Sequence, residues 1–319
     1  MAAFEDETLN GMLDAISISD VERAATVVKV TKDVKEILEA LCEKFDVYEK
    51  ELLHHGSSYE RLKVSQPDEF DYMVLLRGSF EGSFESLTDD PSFVRVALEK
   101  AKVTQPFYKH VQSSSAALEL AYKKTKVGVM LSWTNEQVGL TGCDLAISAD
   151  LTVGLRLDME WSSHWRDIDD LHAMVEDIDL TLLAVPKSPR RGNKDLWRLS
   201  FSVIEKQIAQ AAGKHRRSCI RLVKHLLKDI LAEGMSSSIV SYHIKTSWLH
   251  LLAEHMDDSD WTSFGDLRER TLELLSSLRY SFNVGFLGHF FIIGYNLLRS
   301  RNRRVVRVID AAIARFAQL

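Results

Sequence analysis

The chain has 319 residues, 45% of them hydrophobic and 27% charged, enough for a sizeable core and two domains. A net charge of -6 excludes a global basic field, so any nucleic-acid surface must be a local patch. Cys42, Cys143 and Cys219 are far apart and form no CxxC pair, which argues against a zinc ribbon or a disulfide framework and for a reducing, cytoplasmic location. The acidic N-terminus, Met-Ala-Ala-Phe-Glu-Asp-Glu-Thr, is not expected to be a signal peptide. The most apolar stretch, Phe286 to Leu298, carries His289 and Asn296 and is too short and polar for a bilayer span, so no membrane partner is expected.

Residues 1–18 read as a loose or weakly helical leader. Ser19 with Glu22 fits a capping box. Val27, Val30, Val34, Ile37, Leu41, Phe45, Tyr48 and Leu52 then follow helical spacing, so a long helix is expected to run to about His54. Lys29, Lys32 and Lys35 lie off that stripe; such a face is ordinarily solvated, and its functional reading is part of a nucleic-acid surface. A Gly-Ser turn follows at Gly56-Ser57, then a strand over Glu69–Leu76. Residues 79–92 read as loop, and Phe93–Lys102 and Pro106–Lys123 give mixed signals. Val127–Trp133 reads as a strand, and Thr141–Asp158 is the clearest alternating segment. The basic, turn-rich run Pro186–Lys194, with Arg190, Arg191 and Lys194, marks the expected boundary between a unit at 19–190 and one at 191–319. Helical spacing recurs over Ser202–Ala212, Ser218–Ala232, Ser238–His255, Ser263–Leu278 and Val305–Ala317.

The chemistry gathers around the Gly-Ser turn. Strand side chains alternate faces, so Glu69 and Asp71 point the same way. Two such acids repel and titrate upward unless a cation sits between them. A hard divalent cation takes carboxylate oxygens and leaves room for substrate phosphates. Gly56 permits tight backbone geometry; Ser57 supplies a hydroxyl and an amide donor for a phosphate. Asp150 lies on the polar face of a strand that can pair beside Glu69–Leu76, and a third acid from a neighbouring strand is what a two-metal site requires, its ions roughly 3.5–4 Å apart. Three such charges buried together would be costly without a metal. Together these residues point to nucleotidyl transfer.

Five segments in order resemble the cGAS-like receptors of the Mab-21 superfamily, relatives of cyclic GMP–AMP synthase. They are Gly56-Ser57-Ser58-Tyr59-Glu60 with Lys63 to Asp71; Ile147-Ser148-Ala149-Asp150-Leu151-Thr152; Trp197-Arg198-Leu199-Ser200-Phe201-Ser202 with Glu205-Lys206; Leu222-Val223-Lys224-His225-Leu226-Leu227; and Ser241-Tyr242-His243-Ile244-Lys245-Thr246. The resemblance implies an α+β, bilobed nucleotidyltransferase with a long N-terminal spine helix, a mixed β-sheet catalytic lobe and a C-terminal helical lobe. It implies two magnesium or manganese ions on Glu69, Asp71 and Asp150, with ATP and GTP as substrates. Ser57 would hold a triphosphate, Arg198 a purine edge, and Ser202 and Glu205 ribose and base. Lys224 and Lys245 would be point charges for phosphates. Tyr242, beside Ser241, would stack on a base. Each has a plainer alternative: Arg198 as a surface ion pair, the lysines as solvated helix residues, Tyr242 as a core tyrosine.

Two departures from the vertebrate enzyme stand out. Its zinc-binding module is missing after Ala211-Ala212-Gly213-Lys214, where only His215 and Cys219 remain, and two ligands cannot close a tetrahedral site, so no zinc is expected. His55 stands where the vertebrate enzyme has a small hydroxyl residue. The missing module shifts the implied activator from double-stranded DNA toward double-stranded RNA, which is read through backbone and 2′-hydroxyls, with a dimer on that ligand. Candidate duplex contacts are Lys29, Lys32, Lys35, Lys214, Arg216 and Arg217, joined by the linker basics. Arg299, Arg301, Arg303, Arg304 and Arg307 read as a solvated helix start. Other readings are a Mab-21-like binding module without catalysis and a template-independent polymerase making linear chains.

Overall fold

A computed structural model describes residues 2–16, 20–64, 68–83, 91–138, 147–189, 193, 195–231 and 239–318. Ser19 of the expected capping box, Cys143, and Arg190, Arg191 and Lys194 lie outside the described residues. A helix α1 spans Ala2–Ala15, and the long helix α2 spans Asp20–Lys44. The α2 stripe is buried at Val30, Val34, Ile37, Leu38 and Leu41.

The helix stops ten residues before the expected end. Tyr48 and Leu52 belong instead to strand β1, Tyr48–His55. A spacing of four satisfies both the helical and the strand period, so the stripe alone could not separate them. Pairing decides: β1 runs antiparallel to β2, Glu69–Ser83, and both Tyr48 and Leu52 are buried. A short helix α3, Gly56–Tyr59, joins the two strands.

β2 also outruns its expectation. Residues 79–83 are strand rather than loop, because β6, Ile147–Asp158, continues beside them with Ser79 opposite Arg156 and Glu81 opposite Asp158. A register shift between Leu75 and Ser79, with Gly78 at φ 85°, breaks the alternation there and hides the strand. The mixed-signal region resolves into β3, Phe93–Val96, helix α4, Lys100–Ala117, and β4, Ala121–Lys124. β5 is Gly128–Trp133, α5 Ile168–Met174, β7 Leu183–Val185 and β8 Trp197–Ser200. The sheet order is β1-β2-β3-β8-β7-β6-β5-β4, with β2 also paired to β6; that pair is parallel and the rest antiparallel, so the sheet is mixed. The turn-rich stretch expected to be a domain boundary connects β7 to β8 within the sheet.

The helical lobe comprises α6, Ser202–Ala211, α7, Lys214–Leu231, α8, Ser241–Glu254, α9, Phe264–Val284, and α10, Arg303–Ala317. Trp248 of α8 and Phe282 of α9 are among its fully buried side chains, each contributing roughly 1.5–3 kcal/mol or more by leaving water. One apolar cluster runs through both lobes, from Leu9 to Phe316. The arrangement is α+β and bilobed. No helix among the described residues is long and apolar enough to cross a membrane.

Candidate active site

The parallel pairing of β2 with β6 sets the site. Glu69 lies opposite Ser148 and Asp71 opposite Asp150, while on the other side of β2 Asp71 is the register partner of His55. Side chains of such partners stand on one face. Burial, then the carboxylates of Glu69, Asp150 and Glu60, push Asp71 up to about 7 against the pull of Lys63. Burial and Glu69 likewise raise Asp150. The Asp150 Oδ1 atom is buried without a hydrogen-bond partner among the described residues.

The third acid departs from the expectation of three buried charges. Glu69 is exposed, because Lys63 Nζ draws its carboxylate away at 2.9 Å and holds Asp68 Oδ1 at the same distance. Accordingly, among the described residues no three carboxylate, imidazole or thiol groups converge on one point. The donor set nevertheless fits a hard divalent cation. Asp71 and Asp150 are side-by-side, oxygen-only ligands, one of their oxygens is orphaned, and their mutual repulsion is what a cation would relieve.

The turn beside them is built on contact. Gly56 has φ +80°, and a Cβ there would stand 1.8 Å from Asp71 Oδ2, so only glycine lets the backbone approach that carboxylate. Leu62 N–H bonds the Ser57 carbonyl at 2.9 Å, and Ser58 Oγ donates to the Glu69 carbonyl at 2.5 Å, tying the turn to the start of β2. The Ser57 hydroxyl makes no bond among the described residues. Burial pulls His55 down to about 4, so its imidazole is neutral and offers no charge to a phosphate.

The helical lobe meets this turn through a buried network. Lys245 Nζ lies 2.7 Å from Glu60 Oε1 and 2.6 Å from Glu205 Oε2. Burial lowers Lys245, but the two carboxylates outweigh it and raise the amine above its ordinary value. Tyr242 donates to Glu205 Oε1 at 3.1 Å and meets His289 Nε2 at 3.0 Å. Burial pushes the Tyr242 hydroxyl well up, and Arg198 is near enough to counter part of that rise. Lys224 Nζ bonds the Leu62 carbonyl at 3.2 Å; burial lowers it to about 8, with Glu60 opposing. Ser202 accepts from Ser200 at 3.1 Å at the start of α6, and Ser241 is exposed at the start of α8.

The structure thus brings Gly56, Ser57, Asp71, Asp150, Glu205, Lys224, Tyr242 and Lys245 around one interlobe junction. Lys245 there is not a free point charge, since two carboxylates hold it. Sequence reasoning includes Glu60 in a motif without a role and passes over His289 as a functional group. The signal for Glu60 is an acid directly after the turn; for His289 it is a titratable residue inside the most apolar run.

The expected duplex surface divides. Lys29 is tied to the buried Asp33 at 2.8 Å, which also accepts from Trp133 Nε1. Lys32 and Lys35 line an open groove of about 580 Å³ together with Glu36, Glu39 and His54, so its charge is mixed. Arg216 and Arg217 each make contacts within the protein. Arg216 pairs with Asp258 and donates to the Met256 carbonyl at 2.7 Å, and Arg217 donates to the Gln210 carbonyl at 3.2 Å. Carbonyls at helix ends need donors, and these two guanidinium groups supply them. Lys214 is exposed. His215 contacts the Trp261 carbonyl and packs on Phe264, and Cys219 is buried with its thiol pushed up to about 12.

Two family models match the chain. The Mab-21 protein nucleotidyltransferase domain matches residues 58–211, and the Mab-21 protein HhH/H2TH-like domain matches residues 215–315. Cyclic GMP-AMP synthase of Mus musculus is 24% identical over 332 residues, covering 92% of this chain; the chain spans 65% of that relative. Cyclic GMP-AMP synthase-like receptor 3 of Stylophora pistillata is 25% identical, covering 88% of this chain and 85% of its own. Protein mab-21-like 3 of Danio rerio is 28% identical over 125 residues, covering 38% of this chain and 32% of its own.

Proposed function

The chain belongs to the Mab-21 family, and from that premise we propose that it is a nucleic-acid-activated, metal-dependent synthase of a cyclic dinucleotide. ATP and GTP are its substrates, double-stranded RNA its activator, and cytosolic innate immune signalling its setting. The observation that carries the reading is the register of Asp71 beside Asp150, next to a turn that only Gly56 permits.

Asp71 and Asp150 would hold the divalent ions, with Glu69 once it leaves Lys63. Bound there, magnesium or manganese supplies positive charge that lowers the pKa of a ribose hydroxyl and stabilises the leaving pyrophosphate oxygens. The rest of the work is positioning. Ser57 and the turn amides orient the triphosphate, and Lys224 offers a cation that no carboxylate among the described residues pairs within salt-bridge distance. Tyr242 offers a ring to a base, and Arg198 its fork to a purine edge. Asp150, nearest the attacking hydroxyl on this reading, takes the proton. In-line attack on the α-phosphate forms the new phosphodiester and breaks the bond to pyrophosphate; a second round closes the ring.

ATP and GTP with Mg2+ or Mn2+ are incubated alone, with double-stranded RNA and with double-stranded DNA, and phosphatase-resistant product is followed. Product with RNA, absent in Asp150→Asn, is the expected result. Product only with DNA replaces the activator. Product with a phosphatase-sensitive end means a linear polymerase.

A second reading, a binding module of the Mab-21 family, is favoured by the Lys63–Glu69 ion pair, which satisfies one acid without metal. Calorimetric titration with Mn2+ separates the two: a binding module shows no saturable site that Asp150→Asn removes.

A further inference from the structure

His289 lies in the segment between α9 and α10, 7% exposed. Its ring is surrounded by Phe201, Phe291, Tyr242 and Tyr295, with centroids 5.6 to 6.1 Å away. Its hydrogen bonds fix which nitrogen carries the proton. The backbone N–H groups of Phe291 and Ile292 both point at Nδ1, at 3.1 and 3.2 Å. Nδ1 is therefore the acceptor, and in the neutral ring Nε2 carries the hydrogen. Nε2–H then donates to the Tyr242 oxygen at 3.0 Å, and Tyr242 spends its own hydrogen on Glu205 Oε1 at 3.1 Å. Glu205 Oε2 is taken by Lys245, which also grips Glu60 at the end of the Gly-Ser turn. Donation runs from the backbone of the 291–292 segment through His289 and Tyr242 to Glu205, where Lys245 donates from the opposite side and links the carboxylate to Glu60 in the turn beside Asp71.

We propose that His289 is a positioning residue of the nucleotide site, clamping the Tyr242 hydroxyl from one side while Glu205 clamps it from the other. This rests on the reading of the junction as a nucleotide site. A tyrosine ring fixed at its hydroxyl by one donor and one acceptor cannot swing, and a preorganised ring loses less freedom when a purine stacks on it. With Tyr242 on Oε1, Glu205 turns its other oxygen, Oε2, to Lys245. The ligand class is a purine nucleotide stacked on Tyr242, and His289 acts on it without touching it.

Binding of ATP and of GTP, each with Mg2+, is measured calorimetrically on the full chain as wild type, His289→Leu, His289→Gln, Tyr242→Phe and the Tyr242→Phe/His289→Leu double variant. Leucine removes the donor and should weaken binding roughly tenfold, the worth of one buried hydrogen bond. Glutamine offers an N–H at a similar reach and should recover most of it. In the Tyr242→Phe background, which has no hydroxyl to clamp, His289→Leu should cost nothing further. Equal losses from His289→Leu in both backgrounds, or an unchanged affinity in His289→Leu, overturn the proposal while leaving the nucleotide site intact. A wild type that binds neither nucleotide overturns the nucleotide reading instead. The clamp itself is then judged by the imidazole 15N spectrum: a proton on Nε2 whose signal moves in Tyr242→Phe supports it, and a proton on Nδ1 ends it.

Discussion

Asp71 and Asp150 are direct register partners on adjacent parallel strands, with the carboxylate of the first pressed against the backbone of Gly56. The pair is unfavourable for folding and favourable for holding a cation. Asp150→Asn should therefore abolish product and raise the melting temperature of the metal-free protein by about 2–4 °C, the shift that roughly 1 kcal/mol gives a chain of this size class. Differential scanning calorimetry with and without Mn2+ checks both halves. Full activity in that variant removes the site assignment.

Gly56 tests the same contact from the other side. Alanine brings a Cβ to 1.8 Å from Asp71 Oδ2, at a φ of +80° that a side chain rarely adopts. The variant should lose about 1–3 kcal/mol in urea unfolding, with loss of product. Pairing it with Asp71→Ala relieves the clash and leaves only the backbone strain, so the double variant should be the more stable of the two.

Much of this site is legible in the sequence. Alternation puts Glu69 with Asp71, and Leu145 to Asp158 alternates clearly enough to place Asp150 on a polar face. Other parts are hidden for physical reasons. Tyr48 and Leu52 sit at a spacing that serves a helix and a strand alike, so the stripe overstates the spine helix by about ten residues. Glu60, Glu205 and Lys245 come from three separate segments, and no local pattern announces that one lysine joins them. For Arg216 and Arg217 the sequence shows the charge but not the carbonyls of Met256 and Gln210 to which they donate.

The Lys245 junction predicts an order of severity. Lys245→Met leaves two buried carboxylates without their cation, whereas Glu60→Gln leaves Lys245 still paired with Glu205. Breaking a buried pair by removing one partner costs about 3–5 kcal/mol, so Lys245→Met should lie at or above that range and Glu60→Gln below it. Urea midpoints at constant m-value give the ranking. Equal losses would mean that only one of the two contacts matters to stability.

Lys224 gives the pH dependence. Burial holds it at about 8 in the folded protein, below its ordinary 10.5. Between those values the unfolded chain binds more protons than the folded one, so this residue makes stability rise with pH from about 8 to about 10.5. Its contribution is no more than about 1.4 kcal/mol per pH unit, and less because the side chain is only half-buried. Below pH 8 the charged amine is a cost that Lys224→Met removes. The variant should unfold at higher urea than wild type at pH 7, and the two curves should converge near pH 10.5. If a triphosphate binds beside the amine, ATP should raise its pKa and shift the rising limb to higher pH.

The activator surface yields the last prediction, because the structure separates lysines that the sequence grouped. Lys29 is committed to Asp33, which anchors Trp133, while Lys32 and Lys35 face an open groove. Lys29→Ala should therefore lower stability and leave affinity for double-stranded RNA nearly unchanged. Lys32→Ala with Lys35→Ala should weaken RNA binding at unchanged stability. Each phosphate that the lysines no longer neutralise should flatten the plot of log K against log salt by up to about one unit. The neighbouring Glu36 and Glu39 repel the same backbone, so Glu36→Gln with Glu39→Gln should tighten binding most at low salt, where screening is weakest. Fluorescence anisotropy with a labelled duplex at several salt concentrations measures these affinities and slopes. Affinity that ignores both the lysines and the glutamates would place the activator on another face of the molecule.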